Sequence, residues 1–244
     1  AINPREPRAT VLLARAISQL NPDPSPVIQL AQQALEQNPN LPEAYELLAR
    51  IALDDMEYGR AIEILGGALR QNSSRLESLT LTAAAHYLLD ERRAFRRIER
   101  RVLEQSPHYA AFYSQVAEAV AHAYRHEEAV RLYRQALSVD ADYWPAYVGL
   151  GLGLSRQGEE ETGLGYLRLA TENDPFNVRA YNLVQLYEDT LLDYERYESE
   201  HFRYLVHRSE RAVLEPYLTP LAETLYTQFT ERYGVSPEGR LSVE

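Results

Sequence analysis

Residues 144–177, WPAYVGLGLGLSRQGEEETGLGYLRLATENDPFN, decide the fold. Tyr147, Leu150, Gly151 and Leu154 occupy the first half, and Gly163, Leu167, Ala170 and Pro175 the second, with Gly158 between them. This is the layout of two amphipathic helices joined by a turn and stopped by proline. The small residue at Gly163 allows the two helices of the pair to approach closely.

The layout recurs with a period of 34 residues. Tyr45, Leu79, Tyr113, Tyr147 and Tyr181 form one column, with Ala44, Ala146 and Ala180 preceding three of them. Ala61, Ala129 and Gly163 form a second, followed four residues later by Leu65, Tyr133 and Leu167, and then by Ala68, Ala136 and Ala170. Pro39, Pro107 and Pro175 mark alternate repeats, and Ser73 and Ala141 stand at the intervening positions. Chance similarity of helix lengths does not keep several independent columns in one phase.

These columns resemble the tetratricopeptide repeat, best at Trp144 to Asn177, nearly as well at Ala110 to Tyr143, and again at Leu41 to Arg75. Leu76 to Tyr109 departs, because its small position falls on Phe95 and its aromatic position on Glu99, so a distorted repeat is expected there. Arg8 to Asn40 reads as a degenerate first hairpin, broken at Asn21-Pro22-Asp23-Pro24-Ser25-Pro26. The resemblance implies an all-α, right-handed helical solenoid of five to six hairpins over residues 1–193, Tyr181 to Leu192 forming a capping helix. It also implies a concave surface that holds a partner protein or peptide.

Composition narrows the function. The 244 residues carry 36 acidic and 25 basic side chains, a formal net charge of −11, which opposes nucleic acid. All the basic residues are Arg and none is Lys, which removes Schiff-base and P-loop lysine chemistry. The absence of Cys removes thiolate nucleophiles, disulfides and Cys-rich zinc sites, and leaves the compartment open. No apolar run reaches the ~20 residues of a membrane span, no cofactor motif is present, and no catalytic constellation is found. Because the chain starts at Ala1, residues upstream are expected to have been removed.

Past an acidic stretch with Asp193, Glu195, Glu198 and Glu200, the grammar changes. Phe202, Tyr204 and Val206 alternate as a strand. Glu210 to Tyr233 reads as helix, interrupted at Pro216 and restarted at Thr219-Pro220, with Gly234 at its end. Residues 240–244 alternate as a second strand, so 194–244 is expected to be a strand-helix-strand unit with a parallel pair. Asp174-Pro175-Phe176-Asn177, His201-Phe202, Glu215-Pro216-Tyr217-Leu218 and Leu241-Ser242-Val243-Glu244 resemble the start of the peptidase-MA-like, gluzincin-type domain that follows such repeats in bacterial proteins. The zinc-binding His-Glu-x-x-His of that family is absent, so no catalytic residue carries over. The resemblance implies a larger zinc metallopeptidase whose catalytic domain lies past residue 244, with this chain as its recruiting region.

In this repeat family the first helix of each hairpin lines the concave side. Its non-packing positions are therefore the expected partner contacts: Glu43, Glu46 and Arg50 in the second hairpin, and Glu77 and Thr80 in the third. The fourth supplies Ser114, Gln115, Glu118 and His122, the fifth Arg156, and the following segment Arg179 and Asn182. The four glutamates favour a basic extended or amphipathic segment as the guest. Arg92, Arg93, Arg96, Arg97, Arg100 and Arg101 form a basic stripe, expected to be a solvated face paired with Glu91, Glu99 and Glu104. His122 and His126 straddle a hairpin turn and lack a third metal ligand.

Overall fold

The computed structural model describes residues 6–20, 22–190, 193–237 and 239–243. The chain divides into two compact units, Ala1–Asp174 and Pro175–Glu244.

The first unit consists of five helical hairpins: α1 (Pro7–Leu20) with α2 (Ser25–Gln37), α3 (Pro42–Asp54) with α4 (Tyr58–Gln71), and α5 (Leu76–Leu88) with α6 (Arg92–Gln105). They continue through α7 (Ala111–His122) with α8 (His126–Val139), and α9 (Trp144–Arg156) with α10 (Glu160–Asn173). Helices α4, α6, α8 and α10 start at Tyr58, Arg92, His126 and Glu160, one every 34 residues. The third hairpin therefore keeps the phase, and its departure lies in packing. Phe95 is buried edge-on to Tyr87, with ring centroids 5.1 Å apart, and lies 5.8 Å from Phe112. At the lost aromatic position, Glu99 accepts a hydrogen bond from the Tyr113 hydroxyl at 2.8 Å.

The turn inside each of the last four hairpins repeats one geometry. Met56, Asp90, Tyr124 and Gly158 adopt positive φ, at 61°, 57°, 60° and 80°. The next N–H bonds a carbonyl five residues back, as in Glu57 to Ala52 at 2.8 Å and Glu159 to Leu154 at 2.9 Å, the closure of a Schellman motif. Between hairpins, Asn38, Asn72 and Asp140 each accept at Oδ1 from the N–H two residues on, at 3.0 Å, and so redirect the chain after α2, α4 and α8.

The repeat columns form the core. Ala61, Leu65, Ala68, Ala129, Ala136, Leu167 and Ala170 are all within 1% of full burial. A Cβ on Gly163 would meet the Gly151 carbonyl oxygen and Ser155 Oγ at 2.5 Å, so the closest approach of α9 and α10 depends on that missing methyl. The first hairpin and the start of α3 share one apolar cluster, and α3 to α9 share another.

Successive first helices stack, α3 on α5, α5 on α7 and α7 on α9, and α3 also touches α7 directly. Enclosed by both neighbours and by α6, α5 buries residues on every side from Ser78 through Ala85. A helix in that position needs no polar face.

The second unit comprises α11 (Val178–Gln185), a π-helical turn at Leu186–Thr190, β1 (Tyr194–Glu198), β2 (Phe202–His207), α12 (Arg211–Tyr233) and β3 (Leu241–Val243). The sequence reading placed α11 in the first unit and extended it as a cap to Leu192; residues 191 and 192 lie outside the described residues, as does residue 244 of the expected last strand. The sheet order is β1-β2-β3, with β2 and β3 parallel as expected. β1 pairs antiparallel with β2 and was read only as an acidic stretch. Its charged side chains suit an edge strand, and only Tyr197 is buried.

The expected break at Pro216 does not occur, and α12 is one continuous helix. The prolines free the carbonyls of residues 212 and 216, and both residues are exposed, so the missing hydrogen bonds fall where solvent can supply them. Gly234, at φ 65°, ends the helix as expected. Phe202, Tyr204 and Val206 of β2 bury against Ala222 of α12.

Candidate functional site

The inner side of the first unit, lined by α3, α5, α7 and α9, holds most of the residues singled out by phase. Their environments differ sharply. Glu46 is fully buried and accepts from Arg75 Nε at 2.6 Å, Arg75 Nη2 at 3.0 Å and Ser78 Oγ at 2.6 Å. The Glu46 bonds are the first cause of a raised Arg75 pKa. Glu43 flanks the same guanidinium at 3.4 Å. Thr80 is also fully buried and donates to the Leu76 carbonyl at 2.8 Å, and Ser114 is 7% exposed. Glu46, Thr80 and Ser114 therefore belong to the packing between repeats and present no surface to a guest. Phase alone placed them on the inner side, but α3, α5 and α7 close over those positions.

Glu77 is where three consecutive repeats meet. Arg50 of α3 donates to Oε1, and Gln115 of α7 donates from Nε2 to Oε2 at 3.0 Å. Around this carboxylate stand Tyr109 and Tyr143, each about half-buried and just ahead of a first helix. Burial and then the Glu77 charge raise the Tyr109 hydroxyl pKa; burial, then Glu118, then Glu77 raise that of Tyr143.

Toward the helix C-termini, Asp54 Oδ1 lies 3.6 Å from His122 Nδ1, bridging α3 and α7. Both side chains are 60% exposed. Although the carboxylate is open to solvent on one side, desolvation by the surrounding helix ends is the first cause of a raised Asp54 pKa; His122 and Arg50 oppose the rise and Glu118 adds to it. Glu118 and Arg156 are exposed on α7 and α9. Arg179 and Asn182 are exposed on α11, within the second unit. Beside Arg156, His126 has its pKa lowered by burial first, and its Nδ1 has no partner among the described residues. Among the described residues no three His, Asp or Glu side chains gather as a metal site.

Tyr109, Tyr143 and Asp54 were missed as site residues. A signal for the tyrosines was present, since Arg75, Tyr109 and Tyr143 form a column 34 residues apart, one or two residues ahead of successive first helices. Asp54, at the last position of α3, had none, because its setting depends on α7 arriving from two repeats away.

No family model matches the chain, its peptidase-MA-like resemblance at Asn173 to Glu244 included, and no curated protein matches it. Solved structures do. TTC0263, a thermophilic TPR protein of Thermus thermophilus, is 18% identical, covers 73% of this chain and 96% of its own, and superposes with a TM-score of 0.54. YrrB, a TPR protein described with an unusual peptide-binding site, is 17% identical over 75% of this chain and 94% of its own, with a TM-score of 0.42. No described helix is long and apolar enough to cross a membrane. The likeness to TTC0263, with the 34-residue recurrence of helices and turns, shows a tetratricopeptide-type helical-solenoid fold in the first unit, and the second unit holds a small three-stranded sheet.

Proposed function

We propose that the first unit is a protein-interaction scaffold that seats a basic polypeptide segment on its inner side, over Glu77, Glu118, Asp54 and the two tyrosines. The supporting observation is the convergence of three repeats on Glu77, which fixes a carboxylate beside Tyr109 and Tyr143 without conformational cost at binding. Beyond burial, Glu77 and Glu118 raise the tyrosine pKa values, and Glu118 that of Asp54, while Arg50 opposes the rise at Tyr109 and Asp54; Glu118, exposed and in no ion pair among the described residues, is the carboxylate open to a guest. An arginine or lysine of a guest gains from that charge and from the aromatic faces. Glu43 and Glu46 take no part, being engaged by Arg75.

The test is fluorescence anisotropy with a labelled peptide of alternating arginine and serine. Glu118→Arg changes an exposed side chain and leaves the helical circular dichroism intact. It is expected to weaken this peptide at least about tenfold, the loss of one favourable charge and its replacement by a repulsive one. Equal binding by the variant, or no binding by the parent chain, overturns the reading.

A further inference from the structure

Helix α6 offers a second surface of opposite charge. Arg92, Arg93, Arg96, Arg97 and Arg100 are exposed, and none of their guanidinium groups forms an ion pair or hydrogen bond among the described residues. The expected internal partners do not pair with them. Glu91 engages His86 at 2.5 Å, Glu99 accepts from Tyr113, and Glu104 is in no ion pair among the described residues. Arg101, last in the stripe, donates to the Ser73 carbonyl at 2.6 Å. The chain has 36 carboxylate side chains, and Arg50, Arg75, Arg125 and Arg211 each grip a glutamate. Five guanidinium groups on one helix thus stay open to solvent, although Glu99 and Glu104 lie on the same helix within a turn of them.

We propose that the exposed side of α6 docks an acidic polypeptide segment. Arg92, Arg96 and Arg100 rise ~6 Å apart along the helix. That interval matches carboxylates on alternate residues of an extended chain, about 6.6 Å apart, and the guanidinium fork suits bidentate carboxylate pairing. Phe95 and Val102 of α6 are buried, and Ile98 and Leu103 pack partly buried against the same core, so the apolar side of the helix is turned into the solenoid and is not offered to a lipid surface. The net charge of −11 repels a long polyanion that extends past the stripe, whereas a short acidic segment confined to it meets only the arginines. The proposal uses a different helix face from the inner site and does not depend on it.

The experiment titrates the full chain with a labelled peptide of alternating glutamate and serine, with oligouridylate and with phosphatidylcholine–phosphatidylserine vesicles. The expected result is saturable binding of the acidic peptide, at least about tenfold weaker at physiological than at low salt. Combining Arg92→Gln, Arg96→Gln and Arg100→Gln should weaken it at least about tenfold more, with an unchanged circular dichroism spectrum. Lysine at the same three positions should restore part of the affinity, since the charge returns without the fork. If the triple glutamine variant loses helical signal, Arg96→Gln alone is read, with an expected loss of about threefold. Absence of binding by the parent chain, equal affinity in the glutamine variant, or tighter binding of oligouridylate or vesicles than of the peptide overturns the proposal.

Discussion

Arg75 stands one residue ahead of α5 and grips Glu46 of α3 through two hydrogen bonds, Nε to Oε1 at 2.6 Å and Nη2 to Oε2 at 3.0 Å. The carboxylate has no exposure of its own, and the guanidinium retains 28%. The pair therefore couples adjacent repeats through an ion that water does not reach.

Removing the cation should be the more damaging change. Arg75→Ala leaves a buried carboxylate with only Ser78 and is expected to cost about 3 kcal/mol or more in urea unfolding, whereas Glu46→Gln, which leaves the arginine partly solvated, should cost about half that. Equal effects would show that the two ends are equally hydrated.

The four left-handed turn residues provide an internal comparison. Gly158→Ala forces a Cβ into φ 80° and should destabilise by about 1 kcal/mol. Tyr124→Gly, at φ 60° and 78% exposed, should raise the urea midpoint, because relief of about 1–2 kcal/mol of backbone strain exceeds the added freedom of the unfolded chain. A lower midpoint would mean that the tyrosine ring contributes more than its backbone costs.

At Gly163 steric contact governs. Gly163→Ala places a methyl against the Gly151 carbonyl and Ser155 Oγ, and is expected to cost about 1–3 kcal/mol in thermal or urea melts, although alanine fills the same column at Ala61 and Ala129. A neutral result would show that α9 and α10 separate freely.

Acid titration should act on the second unit through Glu223. Its carboxylate accepts from Ser199 Oγ at 2.5 Å and from His201 N at 3.0 Å, and lies 2.6 Å from His201 Nδ1; these bonds, the backbone one first, hold its pKa at about 2. A carboxyl group depressed by folding stabilises the fold above its unfolded value, and that contribution disappears as pH falls from the usual carboxylate range toward 2. Glu223→Gln should remove this part of the pH dependence, read as a flatter acid limb in tyrosine fluorescence, since His201 stacks 3.8 Å from Tyr226. Asp54 acts in the opposite sense: its raised pKa gives a contribution lost as pH rises through the interval above 3.8.

The solenoid was legible because its columns consist of small and large apolar residues whose roles depend on spacing alone. Ala61, Leu65, Ala136 and Leu167 took the buried positions that their phase required. β1 was not legible: Tyr194-Glu195-Arg196-Tyr197-Glu198 reads as solvated, and only pairing with β2 makes it a strand. Pro216 and Pro220 misled for a different reason, since a helix exposed at the freed carbonyls tolerates them. For the candidate site, period identified the inner face but not its depth. Glu46, Thr80 and Glu118 share that face, and only their neighbours two helices away leave the first two buried and Glu118 exposed.

The direct meeting of α3 with α7 past α5 changes how the array comes apart. A stack whose units touch only adjacent ones can fray one hairpin at a time from either end. Here the hairpins on either side of the central one also hold each other directly, so the second, third and fourth hairpins are expected to melt as a more cooperative block than a strictly nearest-neighbour stack. The first hairpin is tied to this block only through α3, with which it shares its own apolar cluster, so it is expected to open first.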